Sequence, residues 1–457
     1  FRTAPQLSFL AVGVLTWFGR FFLIPAQADP LKLLIARTRP WPQRMARRLG
    51  DAVWRMTVAG FLVWLITLPL ALGRFHLFSP VAVGLNPLLW PVLVVALVSG
   101  FVVLASGWLL PPLADLAARL CNESLGLLNR LVQWTQQAPG SHAWTPGPEP
   151  WWLVGLYGGL AALCLFPSLR PPRRWAFALL AGWIGIGFGA SSYSRSAAEL
   201  RVTFISLGHG CGAVVELPGG ETLLYDAGRL GSPEPAERAI SSYLWSRGIT
   251  RIDAVVLSHA DADHYNAIPG LLDRFSIGRV LVSPFMFESP NESLRALQAA
   301  IEDRGVAIEE IWQNDRLRTH GNAALEVLHP PRQGVLGGDN ANSLVLAIQY
   351  EGRRILLPGD LESPGLDDVM AEPPWNCDLL MAPHHGSRNS DPPGFSAWCT
   401  PEWVVISSGY RHDVAQVEEA FRDAGAQVVS TWREGAVQAT VAHGRISVTA
   451  FRSNQDE

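Results

Sequence analysis

The sequence predicts two folds in one chain of 457 residues: an N-terminal polytopic α-helical membrane domain over 1–195 and a C-terminal α/β sandwich over 196–457. Charge supports the division: there are 16 Lys and Arg and 6 Asp and Glu before residue 200, and 20 Lys and Arg and 34 Asp and Glu from there onward. Long uncharged runs are confined to the first part, and the second contains short apolar runs that end in glycine, histidine or acidic residues. These patterns indicate membrane helices followed by strands with functional loops.

Five apolar stretches in the first part are candidate membrane spans, since about 20 apolar residues cross a bilayer. They cover 8–25, 53–73, 77–113, 151–167 and 175–190. The stretch 77–113 has no charge but is interrupted by Asn86, Pro87 and Pro91. We therefore expect a hairpin of two short helices, or a re-entrant element, in this stretch.

An amphipathic stretch over 113–137 predicts a helix that lies on the membrane surface or packs on its neighbours. A linker rich in Pro, Gly and Ser follows over 138–150. The loops 26–51 and 168–174 are rich in arginine, which places both in the cytoplasm under the positive-inside rule. If 77–113 crosses the membrane an even number of times, the C-terminal domain lies outside the cytoplasm.

From residue 200 onward, strands alternate with helices. We predict strands near 201–207, 213–217, 222–228, 252–257, 278–282, 324–328, 343–350, 354–357, 377–382, 403–407, 427–430 and 436–441, with helices near 236–247, 293–304 and 414–424. Adjacent strands with separated helices favour a sandwich with two sheets inside and helices on both outer faces, an αββα arrangement.

The segment Ser258-His259-Ala260-Asp261-Ala262-Asp263-His264 follows a predicted buried strand. Four potential metal ligands within six residues, at the end of one strand, place their donor atoms in a small volume. Imidazole and carboxylate together suit zinc, or manganese where oxygen donors dominate. The alternative is an Asp-rich helix cap with two incidental histidines.

Three more strand ends deliver similar side chains. Asp226 ends one strand, Asp360 follows Leu356-Leu357-Pro358-Gly359, and His384-His385 follow Leu380-Met381-Ala382-Pro383. A single Asp after a strand is usually a turn former. Their occurrence together with the 258–264 segment predicts a centre for two divalent metal ions, zinc or manganese.

The order of these motifs resembles the metallo-β-lactamase superfamily, and more narrowly the ComEC-type competence proteins. The matching segments are Val256 to His264, Asp339 to Leu346, Leu357-Pro358-Gly359-Asp360 and Pro383-His384-His385-Gly386-Ser387. In the membrane part, Gln6 to Ala11 and the Asn86-Pro87 to Pro91 segment look like the competence-domain helices of that family.

The resemblance implies a multi-pass inner-membrane channel that imports single-stranded DNA in natural transformation. It implies a metallo-β-lactamase-like nuclease domain that degrades the strand that is not imported. The implied partners are incoming double-stranded DNA, the translocated single strand, the membrane, and the DNA-receptor and translocation proteins of the competence machinery; an oligomer is possible. Because the chain starts at Phe1 inside an apolar pattern, we expect a longer protein.

The resemblance also implies roles for the site residues. His259 and Asp261 would bind one metal, Asp263 and His264 the other. Asp360 would bridge the two metals, and His385 or His384 would complete the second position. Asp226 would support these ligands from behind, and the catalytic residues would be Asp263, Asp360 and His384, with His384 as the acid if it binds no metal.

Three departures from the family pattern are visible. Asp261 occupies the place of the superfamily's second motif histidine, and Asn342-Ser343 lie where another histidine is common. The family's Asp-Val-Gly-Gln-Gly-Asp turn is Ser206-Leu207-Gly208-His209-Gly210-Cys211 here. We expect Asn342 and Ser343 to support the site, and His209 to be a supporting residue, an added ligand or a proton donor.

Two other functions fit the sequence. The C-terminal domain could be a binding or gating module of a transport channel without catalysis, which the altered turn favours. The chain could also be a membrane-tethered hydrolase of another phosphodiester. The acidic second part, with 34 Asp and Glu against 20 Lys and Arg, lacks the broad basic surface of a strong DNA binder.

Overall fold

The computed structural model describes residues 3–23, 40–192, 198–288, 291–409 and 414–452. The chain divides into two compact units, Phe1–Ser192 and Tyr193–Glu457. The predicted domain boundary between residues 195 and 196 lies in 193–197, outside the described residues, and stays a prediction.

The first unit is helical. Its helices are α1 (Thr3–Leu23), α2 (Trp41–Phe75), α3 (Val81–Ser106), α4 (Pro111–Gln136), α5 (Pro150–Leu165) and α6 (Arg173–Ser192). The short strands β1 (Leu77–Phe78) and β2 (Ala143–Trp144) pair antiparallel. Among the described helices, α2 and α3 are long and apolar enough to cross a membrane. Part of the predicted Arg-rich loop 26–51 is helical, because α2 begins at Trp41; residues 24–39 lie outside the described ranges.

The predicted hairpin or re-entrant element within 77–113 is wrong, because residues 81–106 form one continuous helix. Pro87 and Pro91 each remove one backbone hydrogen bond to the preceding turn. Membrane helices tolerate such prolines where neighbouring groups satisfy the freed carbonyls. The chain turns after α3 instead, and α4 runs back along it: residues of α3 near 82–85 share a groove with residues of α4 near 132–136.

Small residues lie in the contact between α3 and α4. Ala96 in α3 and Ala114, Ala117 and Ser124 in α4 are buried, and the Sγ of Cys121 lies 3.4 Å from the carbonyl oxygen of Ala96. Small side chains allow two helix backbones to approach closely. Of the two interpretations of 113–137, the structure therefore shows the helix packed on a neighbour.

The second unit contains two large sheets. The strands are β3 (Leu200–Phe204), β4 (Ala213–Glu216), β5 (Thr222–Tyr225), β6 (Arg251–Ile252), β7 (Ala254–Leu257), β8 (Ser276–Ile277), β9 (Arg279–Val282), β10 (Ala307–Glu310), β11 (Arg316–Leu317), β12 (Ala324–His329), β13 (Val345–Tyr350), β14 (Arg353–Leu357), β15 (Leu379–Met381), β16 (Trp403–Ile406), β17 (Gln427–Ser430), β18 (Val437–Ala442) and β19 (Arg445–Ala450). The first sheet has the order β10-β9-β7-β5-β4-β3-β18-β19, and the second has the order β11-β12-β13-β14-β15-β16-β17.

Helices accompany both sheets. They are α7 (Glu234–Ser246), α8 (Ala262–Tyr265), α9 (Ile268–Leu272), α10 (Glu292–Asp303), α11 (Gly365–Ala371), α12 (Pro392–Cys399), α13 (Val414–Asp423) and α14 (Thr431–Glu434). Alternation along β13 shows the layers, since Leu346 packs between the sheets whereas Val345 and Ala347 pack against α11–α13 on the outer face. The predicted αββα sandwich is confirmed.

Candidate metal centre

The candidate metal centre lies where strands of both sheets end. β5 and β7 are parallel, so Asp226, Ser258 and His259, which follow them, share one edge of the first sheet. β14 and β15 are also parallel, and Asp360 and the pair 384–385 follow them. The two edges touch: a Cβ added to Gly359, whose φ is +60°, would lie 2.7 Å from the Cβ of Ser258.

Asp226 organises the first-sheet side of the centre. Its fully buried carboxylate accepts hydrogen bonds from the backbone N–H of Ser258 at 2.7 Å, from the Ser258 hydroxyl at 2.8 Å and from the Nδ1 of His264 at 2.8 Å. Since Nδ1 of His264 donates, its Nε2 is left to point into the site. The predicted support of the ligands from behind thus has a direct geometric basis.

Ser258 extends the same arrangement to His259. The Ser258 hydroxyl donates a hydrogen bond to Asp226, so its oxygen accepts a hydrogen bond from Nδ1 of His259 at 2.9 Å. The Nε2 of His259 is buried and has no hydrogen-bond partner among the residues that the structure describes. Because a buried polar atom without a partner is costly, this nitrogen is suited to a metal ion.

His385 is oriented from the second sheet. Its Nδ1 donates to the carbonyl oxygen of Ser407, which follows β16, at 2.9 Å. Its Nε2 lies 3.2 Å from Nε2 of His264 and 3.4 Å from Oδ2 of Asp360. The two Nε2 atoms lie within hydrogen-bonding distance of each other, and both face the carboxylate of Asp360.

Opposite charges shift the pKa values of the metal-free site. Burial alone would lower the pKa of His264, but the carboxylates of Asp360 and Asp226 raise it well above the ordinary histidine value. Burial alone would raise the pKa of Asp360, but His264 and His385 lower it well below its usual range. Burial would likewise raise the pKa of Asp263, yet His385 and His264 lower it to about 2. The carboxylates are therefore ionised and ready to bind cations.

The described residues provide three groups of possible metal ligands; in one of them, Cys211, Asp226 and His264, the carboxylate of Asp226 already accepts from Nδ1 of His264. Two groups remain. One is formed by His259, His264 and Asp360, and the other by His209, Asp263 and His385, with donor atoms within 4.8 Å of one another in each group. The structure thus groups His264 with His259, whereas the sequence led us to expect it beside Asp263. Asp261 lies at the rim, half-exposed, with Oδ2 3.4 Å from Nε2 of His259. Nitrogen and carboxylate donors in this arrangement fit divalent metals such as zinc.

His384 lies beside the centre rather than inside it. Its Nε2 is 3.7 Å from Oδ2 of Asp360, and its Nδ1 is 2.5 Å from Oε1 of Glu362. The side chain is a quarter exposed, so a substrate can reach it. Glu362 was missed by the sequence reasoning; its only signal is its place two residues after Asp360.

Asn342 and Ser343 occupy the neighbouring loop. The Asn342 amide accepts from the N–H of Val335 at 2.9 Å and donates to its carbonyl oxygen at 3.1 Å. The carbonyl oxygen of Ser343 accepts from Nδ1 of the buried His329 at 3.1 Å. These contacts hold the loop, and a supporting role of the two residues toward the metal centre stays a prediction.

Sequence comparisons agree with both halves of the chain. Residues 1–170 match the competence protein family, and residues 211–398 match the metallo-β-lactamase superfamily. The chain is similar to ComE operon protein 3 of Bacillus subtilis (strain 168), with 29% identity over 416 residues, 86% of this chain and 52% of that protein. It is also similar to competence protein ComA of Neisseria gonorrhoeae, with 28% identity over 75% of this chain and 45% of that protein. The chain spans about half the length of these curated relatives.

Alignments with solved structures cover part of the chain. Zinc-bound PqqB from Methylobacterium extorquens aligns over 53% of this chain and 99% of its own, with 11% identity and a TM-score of 0.38. CmlA, a diiron β-hydroxylase from Streptomyces venezuelae, aligns over 53% of this chain and 54% of its own, with 17% identity and a TM-score of 0.35.

Proposed function

We propose that the chain, which is similar to the ComEC-type competence proteins, is a multi-pass inner-membrane component of DNA uptake in natural transformation. Its C-terminal domain would be a two-metal nuclease that degrades the strand that is not imported. The observation that carries the catalytic part is the convergence of three Nε2 atoms, from His259, His264 and His385, on the carboxylates of Asp263 and Asp360.

Two divalent cations, zinc or manganese, would supply activation of water and charge stabilisation on the scissile phosphate. The residues of the chain supply the geometry. Asp360 lies between the two groups, since Oδ1 is 3.2 Å from Nε2 of His264 and Oδ2 is 3.4 Å from Nε2 of His385. This position supports its role as the bridging ligand. The low pKa of Asp263, about 2, keeps that carboxylate ionised for binding at neutral pH.

His384 would transfer the proton to the departing oxygen. Glu362 accepts from Nδ1 of His384 and so stabilises the protonated ring, leaving Nε2 to donate. Nε2 faces the rim of the site next to Asp360. A quarter-exposed histidine held by a carboxylate has the mobility and orientation expected of a general acid.

The membrane part supports an orientation for this activity. Arg44, Arg47 and Arg48 lie at the start of α2, and Arg170, Arg173 and Arg174 lie between α5 and α6 or at the start of α6. Because 77–113 contains one continuous helix, the expected even number of crossings does not come from that run. If both arginine groups face the cytoplasm, the proposed orientation requires the antiparallel α4 to cross together with α3. The C-terminal domain would then lie on the outer face, where incoming double-stranded DNA is met. DNA-receptor and translocation proteins of the competence machinery would be its partners.

The nuclease proposal is tested with the full chain in lipid nanodiscs. The chain, loaded with zinc or manganese, is incubated with fluorescently labelled single- and double-stranded DNA. We expect cleavage that chelation and Asp360→Asn abolish, whereas Asp253→Asn, at the opposite end of β7, retains it. The proposal would be refuted if the DNA stayed intact with zinc and with manganese while a control nuclease cut it.

A second candidate function is transport with a non-catalytic binding or gating domain. The surplus of acidic residues after residue 200 favours it, because the domain has little charge to attract DNA. Transformation of cells that carry Asp360→Asn distinguishes the two functions. Normal uptake with lost cleavage indicates a nuclease that is separable from transport. Lost uptake by a chain that never cuts DNA indicates gating.

A further inference from the structure

The Gly208-His209-Gly210 turn between β3 and β4 is built into the wall of the metal centre. The N–H of Cys211 donates to the carbonyl oxygen of Asp263 at 3.2 Å, and the N–H of Leu230 donates to that of His209 at 2.7 Å. A Cβ on Gly210 would lie 2.3 Å from the carbonyl oxygen of Gly228, so only glycine permits this approach. The turn is therefore held at a fixed distance from Asp263.

The side chain of His209 faces the second group of ligands. Its Nε2 lies 3.7 Å from Oδ2 of Asp263, and its ring centroid is 4.8 Å from that of His385. The Nε2 of His385 is 3.4 Å from the same carboxylate oxygen. His209 is 29% exposed, compared with 2% for His385, so it closes the group from the solvent side.

The 3.7 Å separation between His209 and Asp263 fits two ligands of one metal ion, whereas His385 at 3.4 Å is also close enough to share a hydrogen bond with Asp263. A hydrogen bond between nitrogen and oxygen measures roughly 2.7–3.2 Å, and 3.7 Å is too long. Two ligand atoms about 2.0–2.1 Å from one tetrahedral zinc lie roughly 3.3 Å apart. The 3.4 Å and 3.7 Å separations are close to this value, and small side-chain rotations bring them to it.

We infer that His209 is a metal ligand that, with His385 and Asp263, forms a position selective for a borderline cation such as zinc. This inference rests on the proposed two-metal function and goes beyond it. The family turn that this chain resembles has glutamine where His209 stands. Two imidazoles and one carboxylate favour zinc over manganese, which prefers oxygen ligands. The other position, formed by His259, His264 and Asp360, also has two imidazoles and one carboxylate, so without His209 the two positions would differ in donor set.

The first test measures metal binding by the full chain in nanodiscs. Zinc is titrated against a chromophoric chelator in the wild type, His209→Gln and, as a matched control, His320→Gln. The side chain of His320 is 84% exposed and paired with Glu221 at the start of β5. We expect two zinc equivalents in the wild type and the control, and at least a tenfold weaker second equivalent in His209→Gln, about the loss that removal of a supporting group already causes.

The second test needs no variant and so does not depend on how His209→Gln folds. Histidine modification by diethyl pyrocarbonate, read by mass spectrometry, is compared for the zinc-loaded and the chelated chain. Zinc should protect His209 and leave His320 equally reactive. The inference would be overturned if His209→Gln bound two zinc equivalents with wild-type affinity, or if His209 stayed reactive with zinc bound. Either result would indicate that His209 is a proton donor instead. A wild type that binds no zinc would also overturn the inference, and one that binds neither zinc nor manganese would refute the proposed function itself.

Discussion

Replacing Asp226 with asparagine removes a charge from behind the metal centre without changing its shape. Asp226 has a φ of +56°, a conformation that asparagine adopts more readily than most residues. The new Oδ1 can still accept from the N–H of Ser258, 2.7 Å away. The new Nδ2 takes the place of the oxygen that accepts from the Ser258 hydroxyl and from His264. The substitution therefore places a donor where two other donors converge.

The size of the expected loss in zinc affinity follows from where the ring protons of His264 and His259 lie in the variant. With Nδ2 donating, Nδ1 of His264 must accept, so its proton moves to Nε2, which points into the centre. Ser258 loses its acceptor and turns its hydroxyl toward Nδ1 of His259, which then carries its proton on Nε2 as well. Loss of one such supporting group typically costs 10- to 100-fold in metal affinity. Because both histidines are affected, we expect about 100-fold, or about 2.8 kcal/mol at 1.4 kcal/mol per tenfold.

Chelator competition with zinc, on the full chain in nanodiscs, measures this loss. Asp253→Asn is the matched control, since Asp253 also accepts a backbone N–H, that of Thr222 at 2.9 Å, but precedes β7 rather than following it. It should bind zinc as the wild type does. If Asp226→Asn binds both equivalents within twofold of the wild-type affinity, the carboxylate does not set the histidine protons and the reasoning fails.

Two further predictions concern proton transfer and pH. Glu362→Gln should lower the DNA-cleavage rate by about 100-fold, the lower end of the roughly 10²- to 10⁴-fold that a positioned acid contributes, while zinc affinity measured by chelator competition stays unchanged; a parallel loss of zinc would show that Glu362 acts on the ligands instead. In the metal-free chain the raised pKa of His264 stabilises the fold fully below the ordinary value of 6.5, and this stabilisation is lost as pH rises from there through the raised value. Thermal melts in chelator should show stability falling over that window, and a flat or rising profile would contradict the pairing of His264 with Asp360 and Asp226.

The sequence was sufficient for features that depend on local pattern. The αββα sandwich follows from short apolar runs, and the placement of Asp226, His259 and Asp360 after strands follows from where those runs end. Parallel neighbours then bring such residues to one edge of each sheet. The expected positions were correct because strand ends in a sandwich leave little freedom for the residues that follow directly.

Other features depend on contacts between distant segments and were not predictable in this way. The pairing of His384 with Glu362 depends on how the loops after β14 and β15 lie against each other. The grouping of His264 with His259 depends on the side chain of Asp226, which contacts His264 although it is distant in sequence. The continuous α3 helix shows a different limit, because Pro87 appears in sequence as a helix breaker, whereas a membrane helix paired along its length with α4 accommodates it.

The candidate ligands of the metal centre come from both sheets: His259, Asp263 and His264 follow β7, whereas Asp360 and His385 follow β14 and β15. Bound cations would thus fasten the two halves of the sandwich together at one edge. Metal occupancy and folding would then be linked by mass action, so that zinc raises the unfolding temperature and sheet separation releases zinc. Under this linkage a domain short of metal would be loosened as well as inactive, and cellular metal supply would set how much folded protein persists.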